Sequence, residues 1–255
     1  MMTQAEQNAA LLEAANVSYA YGSFWAVSRV SLHVQAGELV ALIGRNGAGK
    51  STLLRCLAGW APVTVGEVRV LGLPVARAER AIREHVVLVP DTPPFYDELS
   101  AWEHLQFVAQ VRRLPHWQDR SEELLRRFGL WSQREALPLA FSRGMRYKLA
   151  LCLSLLVAPR LLLLDEPFGP LDPVSADRLW DDLCVYRDTG MGILLSSHQL
   201  PARAQPDRYL VMEEGAIIAQ GDPSALRRTL GTDTLSLESL LRAALLEHEA
   251  GSVNA

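Results

Sequence analysis

Eight residues constrain this chain more than any others: Gly44-Arg45-Asn46-Gly47-Ala48-Gly49-Lys50-Ser51. They fit the pattern G-x-x-x-x-G-K-[ST] at every position. An apolar run, Leu39–Ile43, precedes them, and a helical pattern, Thr52–Leu57, follows. Strand, loop and helix in that order place free backbone N–H groups at a helix N-terminus, where the amides and the helix dipole both favour an anion. The expected ligand is a polyphosphate, with Lys50 on the β- and γ-phosphates and Ser51 as an oxygen ligand to Mg2+. Lysine is scarce here: of 25 basic residues only Lys50 and Lys148 are lysine. A lysine at the one position the motif demands is therefore informative.

The 255 residues, 49% of them hydrophobic, are enough to bury a large core. A net charge of -4 and a pI near 5.9 exclude a global basic field for nucleic acid. Cys56, Cys152 and Cys184 share no metal-ligand spacing and read as buried thiols in a reducing compartment. The N-terminal stretch lacks a basic and apolar leader pattern. The most apolar segment, Leu149–Leu164, is split by Pro159-Arg160 and is too short to span a bilayer.

Strand patterns occupy Leu11–Ser18, Trp25–Val34, Glu38–Ile43 and Gly66–Gly72. From Asp91 to about Ala158 helical patterns dominate. Ser100-Ala101-Trp102-Glu103 has capping-box spacing, and Ser121–Phe128 reads as a helix stopped by Gly129. Val86–Val89 is a strand-like run just before that block, and strands return after it at Leu161–Leu164, Ile193–Ser196 and in a hairpin, Tyr209–Met212 with Ala216–Ala219. Leu237, Leu240, Leu241, Ala244 and Leu245 form the stripe of an amphipathic tail helix. The predicted architecture is α/β: a P-loop NTPase core with a mainly parallel sheet, an antiparallel β subdomain and an inserted helical subdomain. The expected organisation is a domain over 1–222, the helical insert at about 92–158, and a helical tail over 223–255.

Leu161-Leu162-Leu163-Leu164-Asp165-Glu166 is a buried strand that carries two acids at its C-terminal end. Asp165 suits the Mg2+ shell, and Glu166 suits a general base or a group that orients water. Phe141-Ser142-Arg143-Gly144-Met145-Arg146-Tyr147-Lys148 opens a helix with Ser142 as N-cap. On spacing alone that is either an ordinary capped helix or a second anion site.

The order of these motifs, followed by Leu171-Asp172 and by Ser197-His198 after another apolar run, resembles the ATP-binding subunit of ABC transporters. The likeness runs from about Leu11 to Asp222. It implies ATP and Mg2+ as cofactors, with Tyr21 stacked on adenine and Gly44, Asn46, Gly47, Gly49, Lys50, Ser51 and Thr52 around the phosphates. It implies Ser142 and Gly144 as contacts to the γ-phosphate held by a second copy. Asp172 would sit at the dimer interface, His198 would contact the γ-phosphate and Glu166 would be catalytic. It further implies permease partners that hold a cytoplasmic protein on the inner face of the membrane. Where the family's signature reads Leu-Ser-Gly-Gly-Gln, this chain reads Phe-Ser-Arg-Gly-Met.

At the end of Val86–Val89 the family usually has Gln, and this chain has Asp91. Asp91 is either a turn residue before Thr92-Pro93-Pro94 or a ligand to Mg2+ with a catalytic role. Pro93–Ser100 and Ser142–Lys148 also resemble bacterial ABC-2 type exporters, with Phe95, Tyr96 and Trp102 as candidates to line a groove for the permease. The rival readings are an importer subunit, a soluble ABC ATPase without a membrane partner, and a P-loop kinase or GTPase. The last would need neither Ser142–Gly144 nor His198. If Asp91 faces the metal, Mg2+ titrations should be steeper for the native protein than for Asp91→Gln, and superimposable curves would refute that role.

Overall fold

The computed structural model describes residues 10–230 and Ala244. Strand β3 (Leu39–Gly44) is buried along its whole length. An apolar run without alternation requires this, because both faces of such a strand must be covered. It pairs in parallel with β8 (Gly192–Ser197) on one side and β9 (Arg208–Glu213) on the other. Parallel pairing continues outward through β7 (Leu161–Asp165) to β6 (Val86–Val89), and β10 (Ala216–Gly221) closes the far edge antiparallel to β9. A second, antiparallel sheet holds β2 (Phe24–Gln35), β1 (Ala10–Tyr21), β4 (Val65–Val70) and β5 (Leu73–Pro74) in that order.

The strands of the parallel sheet divide their side chains between two cores. Leu39, Ala41, Ile43, Leu162, Leu164, Ile193 and Leu195 face one core; Val40, Leu42, Leu161, Leu163, Leu194 and Leu210 face the other. The first core is shared with α3 (Ala101–Arg112), α4 (Trp117–Arg127), α5 (Arg143–Leu156) and α6 (Pro173–Asp188). The second is shared with the antiparallel sheet and α1 (Lys50–Leu57). Two short helices, α2 (Glu79–Arg83) and α7 (Pro223–Leu230), and two 3-10 turns, Trp131–Gln133 and Pro138–Ala140, complete the described elements. The helices α3 to α5 lie between β6 and β7 in the chain, as an inserted helical block requires.

The capping box forms as its spacing predicts: Ser100 Oγ accepts from Glu103 N at 3.2 Å, and Glu103 Oε2 accepts from Ser100 N at 2.8 Å. Buried His104 pins the preceding loop. Its Nδ1 lies 2.8 Å from Ser100 O and its Nε2 accepts from Tyr96 N at 3.0 Å, so the ring proton sits on Nδ1.

Three expectations change. The helix read as Ser121–Phe128 starts earlier, at Trp117, because His116 turns the chain in the left-handed region (φ 49°) with no side-chain cap to announce it. Cys56 and Cys152 are buried, but Cys184 is only half-buried; burial pushes the Cys56 thiol up to about 11. Trp102 packs against Trp117 and Trp131 at ring separations of 5.1 and 5.9 Å, so it belongs to the helical block's own core. The segment Leu149–Leu164 divides at Pro159-Arg160 as the sequence suggests, into the end of α5 and most of β7. No helix among the described residues is long and apolar enough to cross a membrane. Residues 1–9 of the N-terminal stretch and the tail stripe lie outside the described residues, except that Ala244 is helical and buried in the core on the α3–α6 side.

Leu163 is fully buried in β7, whereas Leu139 is 75% exposed. Leu163→Ala should lower unfolding free energy by about 2–5 kcal/mol, and Leu139→Ala by less than about 0.5 kcal/mol, as read from urea midpoints.

Candidate active site

The carboxyl ends of β3, β6, β7 and β8 meet at one edge of the parallel sheet, which is where open α/β sheets place their ligands. The loop after β3 begins at Gly44, where a Cβ would stand 2.3 Å from the Met212 carbonyl oxygen. It ends at Gly49, whose φ of 101° caps α1 in a conformation that side chains avoid. Lys50 follows as the first residue of α1 and is only 5% exposed. A buried ammonium needs oxygen partners. Its Nζ donates to Gly44 O at 2.9 Å and Arg45 O at 3.2 Å, and Glu166 Oε1 lies 3.2 Å away. Phosphate oxygens would offer the same kind of partner.

Asp165 ends β7 and is also buried. Its Oδ1 accepts from Ser51 Oγ at 3.0 Å and from Ser196 Oγ at 2.6 Å. A hydroxyl and a carboxylate side by side are the hard oxygen donors that Mg2+ prefers when it arrives with phosphates. Among the described residues there is no group of three or more His, Cys, Asp or Glu that could hold a metal ion.

Glu166 stands just beyond β7 with φ 49°, in the left-handed region. Its N–H donates to Ser196 Oγ at 3.1 Å. On its carboxylate, Oε2 accepts from His198 N at 3.1 Å and meets the ring Nδ1 at 2.8 Å, so the ring carries its proton there. The side chain therefore links Lys50 to His198. Tyr21, Asn46, Gly47, Gly49, Lys50, Ser51, Thr52, Asp91 and Glu166 line one cleft of about 310 Å3, with Phe24 and Ala26 beside them. Asp165 and His198 reach it through Ser51 and Glu166.

Asp91 is at the cleft, and its carboxylate is bound by Arg143, with Nη2 2.6 Å from Oδ1. Ser142, Gly144 and Asp172 form a second group. Ser142 Oγ caps α5 by accepting from Met145 N at 3.2 Å. A Cβ on Gly144 would stand 2.8 Å from Pro170 O, so the first turn of α5 lies hard against the loop after β7. Asp172 caps α6. Its bonds with Ser175 Oγ (2.6 Å) and Ser175 N (2.9 Å) hold its carboxyl below the usual range. Lys148 donates to the same Ser175 Oγ at 2.9 Å and so ties α5 to α6.

Sequence reasoning missed Ser196, Phe24 and the role of Arg143. A serine at the end of an apolar strand carries no signal until the register sets it beside Asp165. Ser196→Ala strips Asp165 of one donor and the Glu166 N–H of its side-chain acceptor. It should lower stability by about 1–3 kcal/mol, measurable in urea against Ser154→Ala, whose hydroxyl bonds only a helix carbonyl.

A family model described as ABC transporter matches residues 27–169. The chain is 35% identical over 211 residues to the uncharacterized ABC transporter ATP-binding protein YthP of Bacillus subtilis, covering 82% of this chain and 85% of YthP. It is 33% identical over 230 residues to the daunorubicin/doxorubicin resistance ATP-binding protein DrrA of Streptomyces peucetius, covering 89% and 69%. A solved structure described as the ATP binding subunit of an ABC transporter superposes with a TM-score of 0.86 at 33% identity, over 92% of this chain and 99% of that one. With the loop, the paired acids and the capped helix in place, the chain belongs to the ABC transporter family as an ATP-binding subunit, with proteins named for drug resistance and for export among its relatives.

Proposed function

We propose that this protein hydrolyses ATP with Mg2+ to power a membrane exporter, working as a head-to-tail pair of copies. The observation that carries the reading is the Glu166 carboxylate, held between the Lys50 ammonium at 3.2 Å and the His198 ring at 2.8 Å. When phosphate oxygens take over the ammonium, Glu166 is left with His198 and is free to orient a water and accept its proton as the water attacks in line. Ser51 and Asp165 would hold Mg2+, which supplies charge neutralisation at the phosphates. Lys50 and the amides of the loop stabilise the charge that develops. Tyr21 and Phe24, exposed and directly paired across the β1–β2 turn, suit the base.

Ser142 and Gly144 stand at the start of α5, which has no acid in its first turn. Arg146, and Arg143 with its bond to Asp91, are there instead, against the usual preference of a helix N-terminus. That positive end suits an anion brought by another molecule. Two-fold symmetry would supply it twice, each copy capping the nucleotide of the other.

The described helices offer no membrane span, so a permease would carry the membrane part. Tyr96, Phe107 and Val111 are exposed on the helical block, with Tyr96 and Phe107 in edge contact at 5.4 Å. We assign this surface, adjoining the Asp91 loop, to permease docking at the inner membrane face. Export is favoured by the Pro93–Ser100 and Ser142–Lys148 patterns and by the resistance role named for DrrA.

Glu166→Gln keeps the shape and removes the base. Turnover should fall by about 10²-fold or more, and light scattering should find an ATP-dependent dimer. A variant that stays monomeric at millimolar ATP would overturn the paired arrangement.

A further inference from the structure

The ion pair between Asp91 and Arg143 joins two parts of the fold that sequence places 52 residues apart. Asp91 follows β6 and lines the nucleotide cleft. Arg143 is the first residue of α5, in the helical block, and is not among the residues that line the cleft. The two side chains are 38% and 63% exposed. A pair this open adds little to folding stability, so its importance must lie elsewhere.

It lies in the charge at the cleft. Asp91 and Glu166 line it, and Asp165 sits just behind Ser51. Against these three carboxylates the cleft wall presents one ammonium, Lys50, already shared with Glu166. A polyphosphate must enter this space. Each uncompensated carboxylate repels it over several ångströms, well inside the screening length at physiological salt. The Arg143 guanidinium is always charged and cancels Asp91 from outside the wall, leaving the space open.

We propose that Arg143 is a positioning residue for nucleotide binding: it neutralises and orients Asp91, so that the cleft accepts a polyphosphate without first requiring a divalent cation. The proposal rests on the cleft being the ATP site. It also makes the metal requirement of that site depend on where α5 stands. A simple strut between β6 and α5 would affect binding equally with and without metal, whereas a counter-ion affects chiefly the metal-free state.

The test is titration of the purified full chain with a fluorescent ATP analogue, once in excess Mg2+ and once in EDTA. The proteins are native, Arg143→Gln, Arg143→Lys, Asp91→Asn and the double variant Asp91→Asn/Arg143→Gln. Arg143→Gln should weaken binding in EDTA about five- to tenfold, the effect of one bare unit charge close to a polyphosphate. In Mg2+ it should change binding less than about twofold, because the cation compensates Asp91. Arg143→Lys should behave as native. Asp91→Asn should bind at least as tightly as native in EDTA, and the double variant should return to the native value. Equal weakening by Arg143→Gln in both buffers, or no recovery in the double variant, overturns the proposal while the ATP site stands. A native protein that binds no nucleotide in either buffer overturns both.

Discussion

A buried ammonium sets the terms of this structure. Lys50 is held at the N-terminal end of α1 with almost no access to water, and such a charge persists only if oxygens surround it. The loop supplies two by folding its own carbonyls inward, which brings the backbone at Gly44 so near Met212 that no side chain fits. The third partner is Glu166, delivered from β7 across the sheet. The register makes delivery possible. Both β3 and β7 pair with β8, so the residues after β3 and β7 emerge at the same edge. The two cores on either face keep the strands in that register, since a slip of one residue would exchange every side chain between them.

Glu166 is held in place against its own preference. A left-handed backbone at a residue with a side chain costs about 1–2 kcal/mol, and the turn persists because several bonds determine it together. Ser196 receives the Glu166 N–H and at the same time holds Asp165, while His198 grips the carboxylate with both ring and backbone. Removing Lys50's interest in Glu166 therefore leaves the carboxylate anchored on one side. This is the arrangement the proposed base would need if it is to stay idle without phosphate and be in position once phosphate arrives.

Much of this was legible in the sequence, for definite physical reasons. The strands of the parallel sheet are buried on both faces and read as unbroken apolar runs; the loop, Ser100 and Ser142 are local chemistry, complete within a few residues. What stayed hidden was mutual position. Composition marked Lys148 as unusual, but its function of tying α5 to α6 through Ser175 depends on packing. Asp91 was recognised as a carboxylate out of pattern, and its partner Arg143 as a signature out of pattern. That the two departures answer each other is a fact of the fold. The start of α4 escaped because His116 begins it by a backbone turn without a capping side chain.

Seen as charge, the site holds two ion pairs, Lys50 with Glu166 and Arg143 with Asp91, while Asp165 is held by the Ser51 and Ser196 hydroxyls. The pairs differ in the way their surroundings require. Lys50–Glu166 is nearly enclosed, with 6% and 16% of the side chains exposed, so a competitor must offer equally good oxygens at the same spot. Phosphate does so, and the compact ammonium can turn from one acceptor to another with little rearrangement. Arg143–Asp91 is open to water, and its planar guanidinium keeps its charge whatever the acceptor does. The proposed exchange would thus be confined to the buried pair, where a ligand's charge is felt most strongly. The open pair keeps the background potential from opposing the ligand's approach. An enclosed pair that can be exchanged beside an open pair that persists lets a net acidic protein receive a polyanion at an edge built from carboxylates.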